Sequence, residues 1–90
     1  YIRKIIKGIK ENEVEIEKNI KDKLKPEWSL ERISKINIAL LKLAIYEMLY
    51  ADVPYKVAIN EVVELAKKYG DNNSAPFING VLANVVKENL

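Results

Sequence analysis

The sequence predicts an all-α fold, a helical bundle of four main helices with a short helical turn between the first two. Apolar residues recur at three- and four-residue spacing along nearly the whole chain. The three prolines, Pro26, Pro54 and Pro76, fall between those periodic runs, beside the Ser, Asp and Gly residues that start and stop helices. Only "ENEVEIEKNIKDK" offers a competing strand pattern, and its charge and the Ile16–Ile20–Leu24 series favour helix. The 90 residues form one helical domain, with 1–24 as a leading helix and 29–90 as a helical subdomain.

The first helix is predicted from Tyr1 to Leu24. Ile2, Ile5, Ile6, Ile9, Ile16, Ile20 and Leu24 form its apolar stripe, and Glu17–Lys21 is a favourable helical ion pair. Gly8 interrupts it at a cost of about 1 kcal/mol against Ala, which implies close packing against a neighbour. Pro26 ends this helix, because its ring clashes with the preceding turn. Ser29 caps a short turn, and Ser34 caps the next helix. From Ile36 to Leu49 that helix is apolar on nearly every side, broken only by Lys42 and Glu47, as expected of the centre of a bundle.

"DVPYKVAINEVVELAKKYGD" then carries both of its ends. Asp52 is the expected cap, Pro54 sits in the first turn, and Gly70 closes the helix. Ala58, Ile59, Val62, Leu65, Ala66 and Tyr69 are its predicted buried stripe. Ser74 is the expected cap of the last helix, whose buried face is Phe77, Ile78, Val81, Leu82, Val85 and Val86. Gly80 in its middle implies a second close helix approach.

Composition narrows the chemistry. There is no cysteine and no histidine, so disulfides, thiolate metal sites and the usual general base are excluded. Glu61, Glu64 and Asp71 supply too few oxygens for a hard cation. No phosphate-cradling or dinucleotide fingerprint occurs, and the three serines read as caps. The expectation is therefore a non-enzymatic binding or scaffold module without a cofactor. No apolar run approaches the ~20 residues of a membrane span, and the default compartment is the cytoplasm. Residues 1–10 hold Arg3, Lys4, Lys7 and Lys10 and no acid, a basic face suited to phosphate. The chain opens in mid-pattern, without a cap or an initiator Met, so further sequence upstream is expected.

Two segments, "WSLERISKINIALLKLAIYEMLY" and "DVPYKVAINEVVELAKKYGDNNSAPFINGVLANV", together resemble the NusB transcription antitermination family. The resemblance covers essentially the whole chain. It implies an all-helical, bacterial, cytoplasmic factor that joins the ribosomal protein NusE and binds boxA-like single-stranded RNA in ribosomal RNA transcription. A related reading is the NusB-like RNA-binding domain of a ribosomal RNA cytosine methyltransferase. Another is a helical protein-interaction module with no RNA role. The family's arginine-rich opening segment has no counterpart here. Arg3, Lys4, Lys7 and Lys10 are the remaining basic cluster, so RNA binding by these 90 residues alone is expected to be weak and salt-sensitive. The stripe Ile2–Ile5–Ile6–Ile9 is expected to drive formation of a homo-oligomer, or to be covered by upstream residues.

The candidate RNA- or partner-binding residues are Asn72, Asn73, Phe77, Arg32 and Lys25. Phe77 at a helix start beside the polar "DNNS" loop could stack on an unpaired base, and the asparagines could hydrogen-bond base edges. Equally, Phe77 could be core and the asparagines turn formers. Asn60, Glu61 and Asn79, on helices that otherwise look buried, read as structural polar residues, and Gly80 as a packing glycine.

Overall fold

The computed structural model describes residues 2–24 and 33–89. The expected helix stop at Pro26, the cap at Ser29 and the candidates Lys25 and Arg32 lie outside the described residues. The described chain forms five α-helices: α1 (Ile2–Glu11), α2 (Glu13–Lys23), α3 (Lys35–Tyr50), α4 (Tyr55–Tyr69) and α5 (Ser74–Asn89). α3 is the hub and touches all four of the others.

The long leading helix is split at Asn12. Its carboxamide donates back to the Gly8 carbonyl at 2.8 Å, and its backbone N–H donates to the same oxygen at 3.1 Å. Such local bonding competes with regular helix, and the backbone at Asn12 leaves the helical region (φ −112°, ψ 15°). α1 reaches α3 through Gly8, where a side chain would run into the ring of Tyr46. That ring stacks in turn on Tyr50, with centroids 6.0 Å apart. Of the apolar stripe on α1, Ile5 and Ile9 are half-buried and Ile6 is exposed.

α3 begins as its sequence implies, with the Ser34 hydroxyl accepting the Asn37 N–H at 3.3 Å. Leu40, Leu41, Ala44, Ile45 and Met48 are buried, and they meet Ile16 and Ile20 of α2, Ala58, Val62 and Ala66 of α4, and Ile78, Val81, Leu82 and Val85 of α5. Asp52 does not cap α4. It takes the left-handed conformation (φ 54°) that a short polar residue tolerates, and the turned chain lets the Val53 N–H reach the Glu47 carbonyl at 3.0 Å. Pro54 occupies the cap position of α4. Tyr69 leaves the predicted stripe, because it lies in the last turn, largely exposed, with the Lys68 ammonium 5.4 Å from its ring centre.

The two charges that interrupt the apolar run of α3 meet opposite fates. Lys42 receives Glu13 and Glu17 of α2, each at 3.0 Å, so Glu17 pairs across the bundle and not with Lys21. Burial opposes the Lys42 charge, but the two carboxylates overcome it and raise its pKa. Hydrogen bonding to Lys42 holds Glu13 below the usual carboxylate range. A second set of contacts joins α2 to the end of α5: Lys23 pairs with Glu88, and the Asn89 amide donates to the Asn19 Oδ1 at 3.2 Å.

Glu47 is buried, and its Oε1 has no hydrogen-bond partner. Burial pushes its pKa up, and the nearby Glu61 adds to the shift. Glu47→Met is therefore expected to stabilise the fold by about 1–3 kcal/mol at neutral pH, the usual cost of an unsatisfied buried group. The sign of the pH dependence follows from the raised pKa. The protonated wild-type carboxyl costs little below the ordinary glutamate range, and the penalty develops as pH rises through the folded-state pKa. The advantage of the Met variant should grow from acidic to neutral pH in urea titrations. An advantage that shrinks with rising pH contradicts this assignment.

Candidate functional site

The loop between α4 and α5 is built around Asp71. Gly70 closes α4, with its N–H donating to the Ala66 carbonyl at 2.8 Å. The Asp71 Oδ1 accepts the Asn73 N–H at 2.8 Å and the Ser74 hydroxyl at 3.3 Å, while the Ser74 Oγ accepts the Asp71 N–H at 3.1 Å. Ser74 is thus not the exposed cap that its position suggests. It lies in the first turn of α5, buried against Gly70, and Asp71 supplies the capping carboxylate. This arrangement leaves Asn72 and Asn73 exposed at the tip, and no hydrogen bond among the described residues engages either carboxamide.

The face of α5 that begins at this tip is continuous. Asn73, Phe77, Gly80 and Asn84 follow at helical spacing, which places them along one side of the helix. Beside them runs a groove of about 330 Å³ between α5 and the end of α2, lined by Lys23, Leu24, Pro76, Phe77, Gly80, Val81 and Asn84. Phe77 belongs to both environments: it is half-buried against the core and also forms a wall of the groove. Gly80 is exposed, and among the described residues a Cβ added there would meet nothing within 4 Å. The close helix approach expected at Gly80 is therefore not found among the described residues, where the glycine lines the groove. The Lys23 side chain lines the groove, almost fully buried and paired with Glu88.

The polar motif residues expected to be buried are at the surface. Asn60, Glu61 and Asn79 are all exposed: Asn60 faces away from the buried stripe of α4, and Glu61 and Asn79 lie on the flanks of theirs. Asn60 and Asn79 share a shallow hollow with Tyr55, Lys56, Ile59 and Val63, across the seam of α4 and α5. No hydrogen bond among the described residues ties either asparagine to the fold. On α1, Arg3, Lys4, Lys7 and Lys10 are all exposed, and Lys7 makes only a long pair with Glu11, at 3.9 Å.

Asn84 and Lys23 were missed by sequence reasoning. Asn84 was within reach of it, seven residues after Phe77 on the same face. Lys23 and Leu24 come from a different helix, and only tertiary structure brings them to the groove.

Together these surfaces can stack a planar ring, hydrogen-bond polar edges and neutralise phosphate. Among the described residues no group of three or more acidic side chains converges as a metal site would require. No described helix is long and apolar enough to cross a membrane.

Comparison with known proteins agrees with this architecture. The model of the NusB family matches residues 1–87. The transcription antitermination protein NusB of Clostridium novyi is 48% identical over 88 residues, covering 97% of this chain and 65% of the relative. That of Acetivibrio thermocellus is 50% identical over 91 residues, covering 100% of this chain and 62% of the relative. A solved structure of T. maritima NusB superposes with a TM-score of 0.90 at 44% identity, over 96% of this chain and 61% of that one. The chain thus spans a little under two thirds of the length of these relatives.

Proposed function

The chain belongs to the NusB family, and on that premise we propose that it acts in transcription antitermination as a non-enzymatic module of the bacterial cytoplasm. In this reading it binds boxA-like single-stranded RNA together with the ribosomal protein NusE during ribosomal RNA transcription. The observation that carries the RNA half is the groove along α5, with its aromatic wall at Phe77, its open floor at Gly80 and the free carboxamides of Asn72 and Asn73 at its head. Single-stranded RNA exposes what this surface can read: base faces for stacking, worth about 1–3 kcal/mol per base, and base edges for hydrogen bonds. The basic face of α1 supplies sequence-independent attraction to phosphate, which should weaken steeply with salt.

Fluorescence anisotropy of labelled RNA with the full-length protein tests the proposal. A boxA-type RNA should bind more tightly than a scrambled RNA of equal length, and NusE should strengthen that binding. Equal affinity for the two RNAs, with and without NusE, would overturn the reading.

A further inference from the structure

The seam between α3 and α4 holds a carboxylate that the fold leaves uncompensated. Glu47 is 4% exposed, and its Oε1 meets no donor. The charge that acts on it is another acid, Glu61 of α4. Lys42 of the same helix offers no relief, being about 140° around α3 from Glu47 and already engaged by Glu13 and Glu17. Apolar residues on the same two helices reach the surface. Tyr50, one turn beyond Glu47, is 40% exposed, and Val57, one turn before Glu61, is 54% exposed.

Two carboxylates flanked by apolar shoulders fit a particular class of ligand. A hard metal ion is a poor occupant, because it needs six or more oxygens and the described residues gather no third acidic group here. An ammonium or guanidinium is satisfied by one or two carboxylates, and its aliphatic stem covers apolar neighbours. Docking such a group would relieve both the buried charge and its repulsion by Glu61. We propose that the α3–α4 seam is a docking site for a basic segment of a protein partner, which places one lysine or arginine between Glu47 and Glu61 and covers Tyr50 and Val57. The site is separate from the α2–α5 groove, so protein and RNA would occupy different faces. The inference rests on the protein-partner half of the proposed function.

The test uses the full-length protein with NusE as the probe, by isothermal titration calorimetry at neutral pH. Glu47→Gln should weaken NusE binding at least tenfold while binding of RNA alone stays unchanged. Val57→Lys, an exposed substitution that leaves the core intact, should weaken it similarly by repelling the incoming cation. Carbon-13 NMR pH titration of the glutamate carboxyls should show the Glu47 pKa falling when NusE binds. Wild-type affinity in both variants would overturn the docking site and leave the proposed function standing. A Glu47 carboxyl already paired with a cation in the free full-length protein would also overturn it, since the cation would then come from the same chain. Failure of the wild-type protein to bind NusE at all would remove the protein half of the proposed function, and this inference with it.

Discussion

Leu41→Ala is expected to lower stability by about 2–5 kcal/mol, the range for deleting a buried leucine from a packed core. Leu41 is fully buried in the middle of α3, the helix that every other helix touches. Neighbours cannot collapse into the space, because α2, α4 and α5 are each anchored on the same helix by other buried residues, Ile16, Val62 and Leu82 among them. Domains of this size have about 5–15 kcal/mol in total, so the variant should unfold at markedly lower urea. Leu43, on the same helix but half-buried, serves as the control, and Leu43→Ala should cost clearly less. Equal losses for the two variants would contradict the placement of α3 at the centre.

Gly70→Ala should cost about 1–3 kcal/mol, the usual range for overpacking. Backbone conformation is not the cause, since φ −95° and ψ −172° suit any residue. The cause is contact. An alanine Cβ would lie 2.5 Å from the Ser74 Oγ, 2.6 Å from the Ser74 Cβ and 2.8 Å from the Ala66 carbonyl oxygen. Ser74 cannot retreat freely, being buried and bonded twice to Asp71. Adding Ser74→Gly removes two of the three contacts and should restore part of the loss. Amide chemical shifts of Asn72 and Asn73 should move in the single variant, because displacing Ser74 displaces the tip. A single variant as stable as wild type would show that the loop is looser than described.

Much of the bundle is legible in the sequence because it depends on periodicity. The all-apolar run of α3 announces its central place, and the stripe Ile78–Val81–Leu82–Val85 is buried as its spacing implies. Gly8 likewise marks a true close approach, to Tyr46. Gly80 looks the same in sequence and does the opposite, because whether a glycine faces a neighbour or a groove depends on where another helix ends. The break at Asn12 was hidden because the apolar stripe continues through it. Asn60, Glu61 and Asn79 were misplaced for a related reason: polar residues amid apolar ones suggested burial, but one side of each helix faces out. The candidate site was half legible. The tip and Phe77 share a short stretch of chain, whereas the groove needs Lys23 and Leu24 from α2.

The most direct test of the proposed RNA-binding groove is Gly80→Leu in the full-length protein, assayed for boxA-type RNA binding in the presence of NusE. Among the described residues nothing lies within 4 Å of a Cβ added at Gly80, and the groove leaves room for the rest of the side chain, so the fold should tolerate it. Replacing a helical glycine should even add about 0.5–1 kcal/mol of stability. The leucine would fill the groove beside Phe77, displacing a stacked base worth about 1–3 kcal/mol. The expected result is an unchanged circular dichroism spectrum, an equal or higher melting temperature and RNA affinity reduced about tenfold or more. A stable variant that binds boxA-type RNA as tightly as wild type would contradict the account.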